Sequence, residues 1–249
     1  MMAGRLTKIL GITTVSGNAP LSLTTENALI LTELLDLDVD VHAGANKPLM
    51  VAPRHAEEAH GRTGLDGPIR PEIKRTAASN DAVHFIIETV RSNDDVWLVP
   101  IGPLTNIALA VQQAPDIVDR VAGISIMGGS AGAGNVTATA EFNVWADPHA
   151  ASIVFDAGFE KLLMAGLNLT HQFGVDEQVI SDLRALGNQA SLSLPIFSTF
   201  ILPPTRNEPL ALELRYTTHA PFLPSRTPSY SSSNPEMCAS RQQGHTPAV

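Results

Sequence analysis

The sequence predicts an α/β domain built on a mostly parallel, Rossmann-like open sheet flanked by helices, and three observations lead there. Short apolar runs alternate with amphipathic stretches of helical period. Cap and turn residues fall between them, and a polar, glycine-rich loop follows one of the apolar runs, as expected where a strand passes into a helix. With 249 residues, 44% of them hydrophobic, the chain can bury one substantial core.

Taken in order, residues 8–15 read as a strand, 22–35 as an amphipathic helix and 39–44 as a second short strand. Residues 80–90 read as a helix capped by Ser79 or Asn80, and 96–101 as a strand. Thr105 is the expected cap of a helix that stops before Pro115. Strands at 121–127 and 161–167 flank a helix over 148–157, with Asp147 as its N-cap, Pro148 at its first position and Gly158 as its stop. Because strands alternate with helices, the sheet is expected to be mostly parallel and covered on both faces. Residues 96–101 and 121–127 should then be neighbouring parallel strands.

The domain is assigned to residues 1–202. Residues 203–249 differ in composition: they hold 8 of the 18 prolines, the single cysteine and Ser231–Ser233, and read as a Pro/Ser-rich, disordered tail. The acidic balance, −9 overall, lies wholly in the first part, which holds 12 basic and 22 acidic side chains. An acidic chain lacks the basic face a nucleic-acid binder needs, whereas a neutral small molecule meets no barrier. One cysteine, Cys238, excludes an internal disulfide, and no apolar stretch reaches the length of a membrane span, so the expected compartment is cytoplasmic. His55 and His60 do not have the spacing of a zinc helix. The glycine run 128–134 has neither the Lys-Ser/Thr of a phosphate loop nor the dinucleotide fingerprint.

The chemistry concentrates between Gly134 and Pro148, where Asn135, Glu141 and Asn143 follow a glycine-rich turn. Vicinal hydroxyls donate and accept at once, so a sugar site wants amides, which do both, and an anionic acceptor. Turn-forming roles for these asparagines are the simpler alternative. The loop resembles the signature loop of the inosine/uridine-preferring nucleoside hydrolases. Residues 13–18 (TTVSGN), 60–67 (HGRTGLDG), 102–108 (GPLTNIA) and 127–129 (MGG) match that family in the same order, over roughly residues 8–202.

The resemblance implies hydrolysis of the N-glycosidic bond of a small-molecule ribonucleoside, with a calcium ion activating the water and homo-oligomers as possible assemblies. It implies Asn18, Asn135, Glu141, Asn143 and Asn168 as substrate-binding residues, His60 as a leaving-group contact, and the Ile101 backbone carbonyl as a remnant calcium ligand. The family's aspartate cluster is expected to be missing, since the first acidic residue is Glu26, and Glu208 is a poor match for the family's His-Asp-Pro motif. An N-terminally truncated chain with a divergent C-terminus is therefore expected, with calcium weak or absent and hydrolysis doubtful. The alternative is a non-catalytic ribose-binding remnant.

Overall fold

The structure, a computed structural model, describes residues 7–66, 72–172 and 177–187. Among the described residues the strands are all parallel and fall into two sheets. In the first, β1 (Ile12–Thr14) pairs with β2 (Val41–Ala43), Ile12 opposite Val41. In the second, β3 (Trp97–Leu98), β4 (Gly123–Met127) and β5 (Leu162–Ala165) lie in that order. Trp97 stands opposite Gly123, and Ile124 opposite Leu162. The expected parallel pairing of the 96–101 and 121–127 segments is therefore observed.

The strands are shorter than the apolar runs that announce them. Pro100 has no N–H to donate, so the run 96–101 pairs only at Trp97 and Leu98, although the Pro100 carbonyl still accepts the Met127 N–H at 2.9 Å. The run 8–15 pairs over three residues because its partner β2 is only three residues long.

Helices connect the strands: α1 (Leu21–Leu34), α2 (Glu57–His60), α3 (Ala82–Ser92), α4 (Thr105–Gln113), α5 (Phe142–Ala146), α6 (Pro148–Asp156), α7 (Leu167–Thr170) and α8 (Glu177–Ala185). Two predicted caps need correction. Helix α3 is capped by Asp81, whose side chain accepts the His84 N–H at 2.9 Å, while Ser79 Oγ bonds His42 Nδ1 and accepts the Asp81 N–H at 3.3 Å, one step before the helix. Helix α4 has Leu104 at its cap position. Thr105 is its first helical residue and turns its hydroxyl to Asp147 instead. The third prediction holds: Asp147 caps α6 by accepting the Ala150 N–H at 3.1 Å, and Pro148 occupies the first turn. Gly158, just beyond, has φ +87°, a conformation that costs an L side chain strain.

The main core lies in the three-stranded half. Leu98, Ile124 and Ile126 from the sheet meet Ile86, Ile87 and Val90 of α3, Leu104, Ile107 and Val111 around α4, and Val154 of α6. Each fully buried Ile or Leu there contributes roughly 1.5–3 kcal/mol by leaving water. The two-stranded half buries Leu29, Ile30 and Val41 outside that cluster. Residues 188–202, the proposed 203–249 tail, Cys238 and Glu208 lie outside the described residues. Among the described residues, no helix is long and apolar enough to cross a membrane.

Candidate functional site

All of the strand-to-helix loops of a parallel sheet open at its carboxyl end, which is where ligands bind in open α/β sheets. The loop after β4 is held there by the very residues singled out above. Glu141 is 3% exposed, and its Oε2 accepts the N–H groups of Gly129 at 2.9 Å and Val144 at 3.2 Å, so one oxygen both caps α5 and ties the loop's two ends together. Asn143, 7% exposed, donates Nδ2 to the Met127 carbonyl at 3.1 Å and to the Ile101 carbonyl at 3.3 Å. It thereby spans the ends of β4 and the β3 segment. Asn135 Oδ1 accepts the Phe142 N–H at 2.9 Å, and Asn168 Oδ1 accepts the Ala131 N–H at 3.3 Å.

A common pattern runs through these contacts. Each side chain spends one end on a backbone anchor, and its other end takes no partner among the described residues: Glu141 Oε1, Asn143 Oδ1, Asn135 Nδ2 and Asn168 Nδ2. Two acceptors and two donors are thus held on rigid stems. A set of hydroxyls needs that mixture.

Asn18 lies on the adjoining loop after β1, where its carbonyl accepts the Ala56 N–H at 2.9 Å. The neighbouring Gly17 approaches the turn after β3 so closely that an added Cβ would stand 2.9 Å from Pro103 Cδ. That turn begins at Ile101, the carbonyl partner of Asn143. His60 ends α2, partly buried, and burial holds its imidazole below the ordinary histidine value. The loop beyond it is built on Asp66, which accepts the Arg62 and Thr63 N–H groups at 3.0 and 2.8 Å and a short bond from the Thr63 hydroxyl. The Thr63 hydroxyl is the main reason that the Asp66 carboxyl lies below its ordinary range. Asn27 of α1 fastens this loop by donating to the Thr63 carbonyl at 2.9 Å.

Sequence reasoning missed two residues that assemble the site. Asn106 donates to the Thr14 carbonyl at 2.9 Å and accepts the Ala45 N–H at 2.8 Å, joining the ends of both strands of the small sheet to α4. Asp147, 0% exposed, accepts the Leu49 N–H at 2.9 Å and the Thr105 hydroxyl at 2.7 Å besides capping α6. Both lie in motifs noted in the sequence, but their partners are 42 to 98 positions away.

A calcium site requires about six to eight oxygens, largely carboxylate. Among the described residues no group of three or more His, Cys, Asp or Glu side chains is placed to hold a metal ion, while the Ile101 carbonyl accepts from Asn143 at 3.3 Å with one of its two lone pairs. The described residues do not fit a calcium ion. A separate open groove of about 490 Å³ lies at the start of α1, lined by Pro20, Leu21, Ser22, Thr25, Ala43, Asn46 and Asn80, none of them a candidate ribose contact.

The inosine-uridine preferring nucleoside hydrolase family model matches residues 1–217. The chain is 43% identical over 189 residues to an uncharacterized protein of Schizosaccharomyces pombe, covering 73% of this chain and 60% of that protein. It is 43% identical over 193 residues to the pyrimidine-specific ribonucleoside hydrolase RihB of Escherichia coli, covering 76% of this chain and 61% of the relative. Among solved structures, the purine-preferring ribonucleoside hydrolase from Gardnerella vaginalis superposes with a TM-score of 0.74 at 33% identity, over 78% of this chain and 63% of that one. The chain thus spans about three fifths of the length of the relatives it matches. With the family model covering most of its length and the α/β fold shared with solved members, the chain belongs to the inosine-uridine preferring nucleoside hydrolase family.

Proposed function

We propose that the protein acts on small-molecule ribonucleosides as a nucleoside N-ribohydrolase, cleaving the bond between ribose and base with water, and that residues 101–168 form its ribose-recognising side. The observation that carries this reading is the set of four anchored side chains with free ends, two accepting and two donating. Relatives include a pyrimidine-specific and a purine-preferring hydrolase, so the sugar is the part of the substrate that they share. A site made of amides and one carboxylate is matched to that part.

The reaction breaks a C–N bond as positive charge develops on the ribose ring, in the manner of glycoside hydrolysis. Glu141 is positioned to accept from a ribose hydroxyl through Oε1, and its negative charge favours the cationic ring. Asn143 Oδ1, Asn135 Nδ2, Asn168 Nδ2 and Asn18 fix the remaining hydroxyls, which holds the ring in one orientation. His60, kept neutral by burial, serves the leaving base by hydrogen bonding from its N–H rather than as a strong acid. We place the protein in the cytoplasm and allow a homo-oligomer, without nucleic-acid or membrane partners.

The water-activating part is not supplied by the described residues, which present no metal-binding group of acids. That observation favours a second reading, in which the chain binds nucleosides without hydrolysing them. Expression of residues 1–249 with assays of inosine and uridine binding and of base release, with and without added calcium, separates the two. Saturable binding with turnover supports the hydrolase, and saturable binding without turnover supports the binding remnant. No binding of either nucleoside refutes both.

A further inference from the structure

Asp147 is fully buried, and no lysine or arginine is among its partners. Its three hydrogen bonds come from neutral donors on three separate segments. Leu49 N–H belongs to the loop after β2, Thr105 Oγ1 to the first residue of α4, and Ala150 N–H to the first turn of α6. Thr105 is the first residue of α4 and Asp147 is the N-cap of α6, so the carboxyl lies at the start of two nine-residue helices. Capping α6 alone needs one oxygen. The second oxygen reaches out to the other two segments.

One of those segments leads to the Asn18 loop and Asp147 itself adjoins the Asn143 helix, so the bonds link the two groups of proposed ribose contacts. The Leu49 loop runs on to Arg54, whose guanidinium lies 4.6 Å from the Trp145 ring centroid, and then to His55 and Ala56, which bond the carbonyls of Gly17 and Asn18. Asp147 itself directly follows α5, which holds Asn143 and is capped by Glu141. We propose that Asp147 is a positioning residue that locks the β2 loop and the start of α4 to the Glu141–Asn143 helix, setting the separation between the Asn18 side and the Asn143 side of the pocket. This rests on the ribose-site reading above. Asp147 touches no substrate; it acts through Leu49 and Thr105.

The test uses the full chain with three substitutions. Asp147→Asn puts an N–H₂ group where one of the two oxygens accepts. Thr105→Val removes only the hydroxyl and keeps the shape, and Thr105→Ser restores the hydroxyl. Inosine and uridine affinity is measured by calorimetry, thermal midpoint by scanning, and the Leu49 amide and Asn143 side-chain amide signals by NMR with hydrogen exchange. The expected result is affinity weakened about tenfold or more in Asp147→Asn, with the Leu49 amide exchanging faster and the Asn143 signals moved. If Asp147→Asn does not fold, Thr105→Val should show the same three changes at a thermal midpoint close to the parent's, and Thr105→Ser should reverse them. Parent affinity in a folded Asp147→Asn or Thr105→Val variant overturns the proposal, as does a Thr105→Ser variant that fails to restore the signals. Should the parent bind neither nucleoside, the ribose-site reading fails on its own. The locking role is then decided by the Leu49 and Asn143 signals alone: unchanged signals overturn it, and changes reversed by Thr105→Ser uphold it.

Discussion

The two halves of the molecule are built on different physics. The three-stranded half carries Glu141, Asn143 and Asn168 over one contiguous apolar core, in which Ile124 and Ile126 are almost completely buried. The two-stranded half carries Asn18 and His60; its own buried residues Leu29, Ile30 and Val41 are not in that cluster, although Leu10 and Leu49 pack against it and His42 stacks on Phe85. Its ties to the larger half include side-chain bonds, the two of Asn106 and the Leu49 bond of Asp147. Apolar packing is undirected and tolerant, whereas a buried hydrogen bond fails if a partner moves by a fraction of an ångström. The larger half is therefore the apolar platform, and the smaller is seated on it by a few apolar contacts, with its register fixed by a few directed polar bonds.

The largest expected effect breaks the platform. Ile126→Ala leaves a cavity in the core and should cost about 2–5 kcal/mol in denaturant unfolding. A cost well under 1 kcal/mol would show that the three-stranded half is not the stable one. Next comes the polar seam. Asn106→Ala removes the partner of the buried Thr14 carbonyl and of the part-buried Ala45 N–H, and should cost about 1–3 kcal/mol, mostly for the buried carbonyl. The loss should be accompanied by faster exchange in β1 and β2 than in β4. Uniformly raised exchange would mean that the halves unfold as one unit.

A smaller effect is a pH dependence in the two-stranded half. His42 is buried against Phe85, with ring centroids 3.8 Å apart, its Nδ1 bonded to Ser79 and its Nε2 without a partner. Burial holds its imidazole below the ordinary histidine value of about 6.5, although nearby Asp40 acts in the opposite direction. A depressed folded value means the unfolded chain takes up the proton first. Stability is therefore full above about pH 6.5 and falls as pH drops below that toward the folded value. Chemical unfolding at pH 7.5, 6.5 and 5.5 should show this decline, and His42→Phe should flatten it. The smallest effect belongs to the exposed Arg91–Asp116 pair, 2.7 Å apart. Arg91→Ala should leave the melting curve where it is, because solvent screens such pairs.

The fold was legible where local chemistry decides it. The Asp147-Pro148 start and Gly158 stop of α6 need only neighbours, and the alternation of strands and helices follows from hydrophobic period. The cap of α3 was misplaced because three consecutive residues, Ser79, Asn80 and Asp81, all have capping side chains. In the fold Ser79 bonds His42 and the Asp81 N–H, and Asp81 takes the His84 N–H, an allocation among neighbours that composition does not fix. Thr105 likewise has the side chain of a cap, but an acceptor 42 residues away captures its hydroxyl. For the candidate site, the sequence showed which polar residues gather after β4, because they are contiguous. It could not show which end of each amide is anchored, nor that Asp147 reaches Leu49 across 98 positions, since such bonds leave no periodic trace.

The central claim is that the free ends of the anchored side chains bind ribose. Glu141→Gln tests it most directly, because the amide oxygen can still accept from Gly129 and Val144 while the free end changes from an anionic acceptor to a neutral donor. Calorimetric titration of inosine and uridine into the parent chain and into this variant should give saturable binding for the parent. The variant should bind at least about tenfold more weakly, a loss of about 1.4 kcal/mol, at an unchanged thermal midpoint. Equal affinities for parent and variant would contradict the claim.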